Sequence, residues 1–165
     1  MNILIVYGTR HGWTQKTAEN LDDILRNQYN YKVEVTDYKI SKEIKVNMPN
    51  YDLVIAGSSI VMGFWKRGVK RFLNKYKKHL RNVAIYVTAG GTLDDVTKGT
   101  LTKEEAIQKA KTKYIIPVKN KLGISTIADG VFGGQYGKEP KILFNNWNKE
   151  DIKNWAAELD KKLKK

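Results

Sequence analysis

The sequence predicts an α/β fold, a doubly wound parallel sheet of five strands with helices on both faces. Three features predict it: short continuous apolar runs, amphipathic segments alternating with them, and glycine- and hydroxyl-rich loops where the runs end. Strands that read as unbroken apolar runs are buried on both faces, which happens when helices cover a parallel sheet. A chain of 165 residues suits one domain over residues 1–165.

The first strand is NILIVY at 2–7. Residues 14–27 place Ala18, Leu21, Ile24 and Leu25 at helical spacing, with Thr14 as the expected N-cap. YKVEVTD at 31–37 alternates and reads as the second strand. Residues 38–50 carry a weak pattern, one poor helix at most. DLVIAG at 52–57 is the third strand. Residues 66–80 then align Val69, Phe72, Leu73, Tyr76 and Leu80 on one helical face. NVAIYVT at 82–88 is the fourth strand, and Gly90 to Gly99 reads as a loop. Thr102 and Glu105 form a capping box ahead of Ala106, Ala110, Tyr114 and Val118. Pro117 is expected to kink or end that helix. A glycine-weakened fifth strand lies within 125–133. A last helix at 148–163 buries Ile152, Trp155, Ala156, Leu159 and Leu163.

Composition excludes several classes of function. There is no cysteine, so disulfides, thiolate-bound Fe–S clusters and thiol catalysis are out. The two histidines, His11 and His79, stand in no nucleophile elbow. Gly8-Thr9 and Gly57-Ser58 stand where a receiver domain needs acids, and metal-ligand spacing is lacking. No window approaches ~18 consecutive apolar residues. The opening run ends in a glycine loop and has no positive n-region, so it reads as a strand and the protein as cytoplasmic. Lys and Arg number 30 against 17 Asp and Glu, a net charge of +13. Nucleic acid, anionic lipid and an acidic protein all fit that charge, and so does a solvated lysine-rich surface. No recognised nucleic-acid module appears, so no specific nucleic acid is expected. Peripheral contact with a membrane stays open.

In such sheets ligands bind beyond the carboxyl ends of the strands. Three loops lie there. Gly8-Thr9-Arg10-His11-Gly12-Trp13-Thr14 joins a buried strand to a helix start. Its amides and the helix dipole suit an anion, Thr9 and Thr14 offer hydroxyls, and Arg10 adds charge. A plain strand-to-helix turn is the other reading. Neither the Walker A pattern nor the dinucleotide fingerprint is present. In Gly57-Ser58-Ser59-Ile60-Val61-Met62-Gly63-Phe64-Trp65, small residues leave a shelf and large apolar ones reach over it. That suits a planar ligand with one polar edge, or a hydrophobic loop packed on the sheet edge with Met62, Phe64 and Trp65 as core lids. In Thr88-Ala89-Gly90-Gly91-Thr92-Leu93 the paired glycines let backbone approach a ligand.

Thr9 to Thr14 resembles the flavodoxin phosphate loop, departing at His11, where flavodoxins usually carry Thr or Ser. The chain is most similar to the flavodoxin-domain family that includes the menaquinone-dependent protoporphyrinogen IX dehydrogenases. GTRHGWT at 8–14, YDLVIAGSSIVMGFWKRGVKRFLNKY at 51–76 and the tryptophans of 146–155 carry that resemblance. It implies a flavodoxin-like fold, FMN as cofactor, its phosphate on residues 9–14 and its ring between the 58–65 and 88–93 loops. It implies an electron-transfer flavoprotein passing electrons between redox partners, or alternatively a porphyrinogen dehydrogenase or related flavin oxidoreductase. The dehydrogenases carry an extra basic, apolar segment before the last helix. Only Gln135 to Asn145 fills that gap here, which argues against porphyrinogen oxidation and membrane association.

From Trp65 to Asn82 there are eight Lys or Arg and no acid. Flavodoxins, by resemblance, are acidic around the flavin. Lys66, Arg67, Lys70 and Arg71 therefore mark where an acidic redox protein or an anionic substrate would approach. A solvated helix face is the alternative.

Overall fold

The structure is a computed structural model and describes residues 1–39 and 48–165. The five expected strands are β1 (Asn2–Gly8), β2 (Lys32–Asp37), β3 (Leu53–Ser59), β4 (Val83–Thr88) and β5 (Ala128–Phe132). They pair in parallel throughout, in the order β2-β1-β3-β4-β5. The order reverses at β1, because β2 lies on one side of it and β3 on the other. That is the topological switch point.

Successive strand residues point to opposite faces, so each strand feeds two cores. Leu4, Val6, Val54, Ala56, Ile85 and Val87 pack under α2 (Arg67–Tyr76) and the helical stretch over residues 103–122. Ile3, Ile5, Leu53, Ile55, Ala84 and Tyr86 pack under α1 (Trp13–Asn27) and α6 (Lys149–Leu163). The central strands are buried along their whole length, as continuous apolar runs require.

Several boundaries differ from the expectation. Helix α1 starts one residue earlier than expected, with Gly12 rather than Thr14 as its N-cap. Gly12 has φ of +87°, which glycine adopts without strain, and Thr14 falls inside the first turn. The stretch from Gly90 is not a loop: α3 occupies Gly90–Thr97. Its two glycines and two threonines mask it in sequence, but burial of Leu93 against the core holds the turn. Helix α2 ends at Tyr76 and runs on as a 3₁₀ turn at Lys77–His79. The capping box forms as expected and opens α4 (Lys103–Ala110). The ladder then widens into a π-helical turn at Lys111–Ile115, and α5 (Ile116–Leu122) restarts with Pro117 in its first turn. Proline has no N–H to continue the ladder, so the interruption falls where expected.

Residues 135–145, expected only as a connecting gap, form an antiparallel hairpin of β6 (Gln135–Lys138) and β7 (Lys141–Asn145). Of the weak 38–50 segment, Met48–Asn50 is a 3₁₀ turn, and residues 40–47 lie outside the described part. No helix among the described residues is long and apolar enough to cross a membrane.

Candidate functional site

The carboxyl ends of β1, β3 and β4 open onto a cleft of about 400 Å³. Such a volume lies within the usual range for small-molecule pockets, ~300–1,000 Å³. Thr9, Arg10, His11, Trp13 and Thr14 line one end, from the loop that leads into α1. Ser59, Ile60, Val61 and Met62 line a second wall, and Thr88, Gly90 and Gly91 a third. The three loops singled out in the sequence therefore meet.

Five of the expected residues do not line this cleft. Gly12 turns the backbone behind it, its N–H donating to Thr9 Oγ at 2.9 Å. Ser58 is an interior residue of β3: its hydroxyl donates to the Ser59 carbonyl and accepts from the Lys66 N–H at 2.9 Å, fixing the entry to α2. Gly63, Ala89 and Thr92 line a neighbouring cavity instead.

The first loop presents an unsaturated helix end. The N–H groups of Trp13, Thr14 and Gln15 have no carbonyl behind them in α1. No side chain caps this end and no acid stands in its first turn, whereas α4 and α6 open with Glu104-Glu105 and Glu150-Asp151. The positive end of the dipole thus faces the cleft, beside the exposed Arg10.

The second loop makes a tight turn. Val61 and Phe64 exchange backbone hydrogen bonds of 3.1 and 3.0 Å. Between them Met62 and Gly63 both have positive φ, +51° and +82°, as in a type I′ turn. Met62 and Phe64 project into solvent, 89% and 72% exposed, at the rim. Trp65 does not reach over the shelf: it is buried, and its indole N–H donates to the Tyr114 carbonyl at 2.8 Å.

The third loop is tied to the first. The Thr14 and Thr88 hydroxyls hydrogen-bond at 2.7 Å. Behind them the fully buried Tyr86 hydroxyl donates to the Thr14 carbonyl at 2.9 Å. The Tyr86 ring lies where a Cβ on Gly57 would stand, so only glycine fits there. Burial above all raises the Tyr86 phenol well beyond its usual range, which keeps it a neutral donor.

The hairpin supplies a fourth wall that the sequence reading missed. Gly134, Gln135, Tyr136 and Phe144 line the cleft. Tyr136 stacks on Phe144 at 6.1 Å and meets His11 edge-on at 5.7 Å. The Phe144 ring lies against Gly90, where a Cβ would come within 2.4 Å of it. Asn146 clamps this wall in place: its amide donates to the Gly90 carbonyl at 2.8 Å and its carbonyl accepts from the Gly134 N–H at 3.0 Å. The short apolar run Ile142-Leu143-Phe144 between Pro140 and Asn145 was the available signal for β7.

A doubly wound sheet with a cleft at its switch point, one end an uncapped helix N-terminus and the other a flat apolar slot, has the form of a nucleotide-binding α/β protein. A family model described as Flavodoxin domain matches residues 4–139, and the chain belongs to that family. Family membership makes FMN the cofactor of this chain. No curated protein matches the sequence. Among solved structures, the chain is similar to rubredoxin oxygen:oxidoreductase of Desulfovibrio gigas, at 16% identity and a TM-score of 0.63. That match covers 99% of this chain and 36% of the other, so the chain spans about a third of that protein. It is similar to oxidised flavodoxin 1 of Bacillus cereus, at 11% identity, TM-score 0.57, covering 99% and 97% of the two chains. A flavoprotein of Lactobacillus acidophilus NCFM, solved in complex with FMN, matches at 19% identity and TM-score 0.53, covering 79% and 92%. At these identities the likeness establishes the fold.

Proposed function

We propose that this protein holds FMN non-covalently in the cleft and carries electrons between redox partners. Ser59 supports the reading most. Its hydroxyl is buried on the cleft wall and has no hydrogen-bond partner among the described residues. Leaving such a group unpaired costs about 1–3 kcal/mol, which a ligand with a polar edge would relieve. The rest of the cleft matches the two ends of FMN. The amides of Trp13, Thr14 and Gln15, with Thr9 and Arg10, would hold the phosphate. Ile60, Val61, Met62, Gly91, Tyr136 and Phe144 would enclose the ring and exclude water. FMN supplies one- and two-electron chemistry at that ring, and the chain supplies binding and orientation.

Flavin absorbance of the purified protein and titration of the apoprotein test this. Ser59→Ala should weaken FMN binding several-fold, about 1 kcal/mol, without destabilising the apoprotein. Unchanged affinity would remove Ser59 from the site.

A second cavity of about 350 Å³ favours a second reading. It shares Ile60, Met62 and Gly91 with the cleft and adds Thr92, Tyr114, Lys113 and the Lys109–Asp95 ion pair. Room for part of a substrate beside the ring suits an FMN-dependent oxidoreductase, for which the sequence resemblance implies protoporphyrinogen IX with a quinone acceptor. Steady-state turnover of protoporphyrinogen with a quinone separates enzyme from carrier.

A further inference from the structure

Two helices that face each other carry cations without acids. From Leu53 to Leu93 there is no Asp or Glu, and none from Ala106 to Ala128. The first stretch contains α2 and the second contains α5. Between the two helices runs a groove of about 550 Å³.

The groove has charged walls and an apolar floor. Arg67, Lys70 and Arg71 stand on one face of α2, at spacings of three and four residues. Lys121 faces them from α5, with Val118 and Leu122 between. These four cations form no ion pair with any described residue. Nearby lysines differ: Lys109 pairs with Asp95 and Lys119 with Asp129, each at 2.8 Å. The Lys77 ammonium donates to the Leu122 carbonyl at 3.0 Å and ties the two helices together at one end.

We propose that this groove docks an acidic amphipathic helix of a partner protein. The apolar stripe of such a helix would cover Val118 and Leu122, and its flanking carboxylates would meet the four cations. Charge complementarity selects an acid, and the apolar floor selects a protein over a polyphosphate. A flat bilayer surface cannot enter a groove between two helices. The proposal deepens the electron-carrier reading, on which it rests for its purpose. Helix α2 starts three residues after Phe64, at the rim of the flavin cleft. A partner docked along α2 would lie beside that rim.

The test uses the full chain, loaded with FMN, and fluorescence anisotropy of labelled probes. The probes are an acidic amphipathic helical peptide, a scramble of the same composition, duplex DNA and phosphatidylglycerol vesicles. The amphipathic peptide should bind, and the scramble on the order of 10-fold more weakly. The quadruple variant R67E/K70E/R71E/K121E should lose on the order of 10-fold or more in peptide affinity, and the Gln equivalents a smaller share. Raising salt should weaken binding of the native chain and leave the Glu variant little affected. Equal binding of peptide and scramble, tighter binding of DNA or vesicles, or indifference to charge reversal would each overturn the proposal. Flavin content is read from absorbance in every sample. Peptide binding by a chain that takes up no FMN would sink the carrier reading and leave the groove standing. Retained FMN with no peptide binding would do the reverse.

Discussion

The hydroxyls of Thr14 and Thr88 hydrogen-bond at 2.7 Å, both buried, although 74 residues separate them. One belongs to the first turn of α1 and the other to the last residue of β4. Two walls of the cleft are thus one unit. Replacing either threonine with valine should cost about 1–3 kcal/mol, because the surviving hydroxyl is left buried and unpaired. The double variant should cost less than the sum of the two. Urea unfolding of all four proteins measures the coupling, and strict additivity would deny it.

Gly12 should matter through its backbone alone. Its φ is +87°, yet a Cβ placed there would meet nothing within 4 Å. Gly12→Ala should therefore cost about 1–2 kcal/mol, and Gly12→Asn clearly less, since asparagine tolerates the left-handed region. Thermal unfolding of the apoprotein separates the pair. Equal losses would mean that space, not conformation, sets the requirement.

Met62 occupies a conformation that suits Asn or Gly better. Its φ is +51° and its side chain is almost wholly exposed. Met62→Asn should stabilise the apoprotein by up to about 1 kcal/mol. If the methionine covers the flavin ring, the same change should weaken FMN binding. Opposite signs in the melting temperature and in the FMN dissociation constant are the expected pattern.

One hydrogen bond should shape both limbs of the stability–pH curve. The Tyr31 hydroxyl donates to Asp160 at 2.6 Å. Burial, and then that bond, lift the Tyr31 phenol to about 12. The ordinary value is near ~10, so this contribution is intact below pH ~10 and is lost as pH rises toward about 12. Burial pushes the Asp160 carboxyl up, but hydrogen bonds from Lys164 and Tyr31 outweigh it and leave it below its ordinary value. Its contribution is present above the ordinary carboxylate range and is lost as pH falls through the depressed value. Tyr31→Phe should flatten the alkaline limb and weaken the acid one. Unfolding midpoints across pH would show no change in slope if the bond is absent in solution.

The hairpin wall should contribute to cofactor affinity. Phe144→Ala removes the ring stacked on Tyr136 and opens the Gly90 backbone to water. An aromatic pair is worth about 0.5–1.5 kcal/mol beyond burial. FMN binding to Phe144→Ala, followed by fluorescence quenching, should be roughly 2–10-fold weaker at those energies. Unaltered affinity would place the ring away from the hairpin.

The sheet was legible because each strand is a burial problem solved locally. A run such as LVIAG has no polar face to present, and only a covered parallel sheet hides it. The three loops were legible because glycines and hydroxyls cluster where such strands end. Other features depend on tertiary contacts. Thr14 looks like a cap, but a glycine two residues before it takes that place and the threonine turns inward to Thr88. Helix α3 has the composition of a loop and folds because Leu93 is buried. Ser58 and Ser59 are neighbours of identical chemistry, and only the pleat decides that one is satisfied inside the fold while the other meets the cleft. The hairpin escaped notice because Tyr136 and Phe144 face a site and Ile142 and Leu143 face solvent, none of them the core, and the clamp at Asn146 is set by partners far along the chain.

That clamp orders events during synthesis. When β1 to β4 have emerged from the ribosome, the first three walls exist in sequence, but the fourth lies beyond residue 133 and is pinned only by Asn146. Trp147 then fastens this end of the chain to α1 by donating its indole N–H to Thr17 at 3.0 Å. A nascent chain that stops short of these residues offers FMN an open ledge instead of a slot. FMN capture in this cleft would therefore wait until Asn146 has been made, and a ribosome-bound chain truncated before Asn146 would let the flavin go.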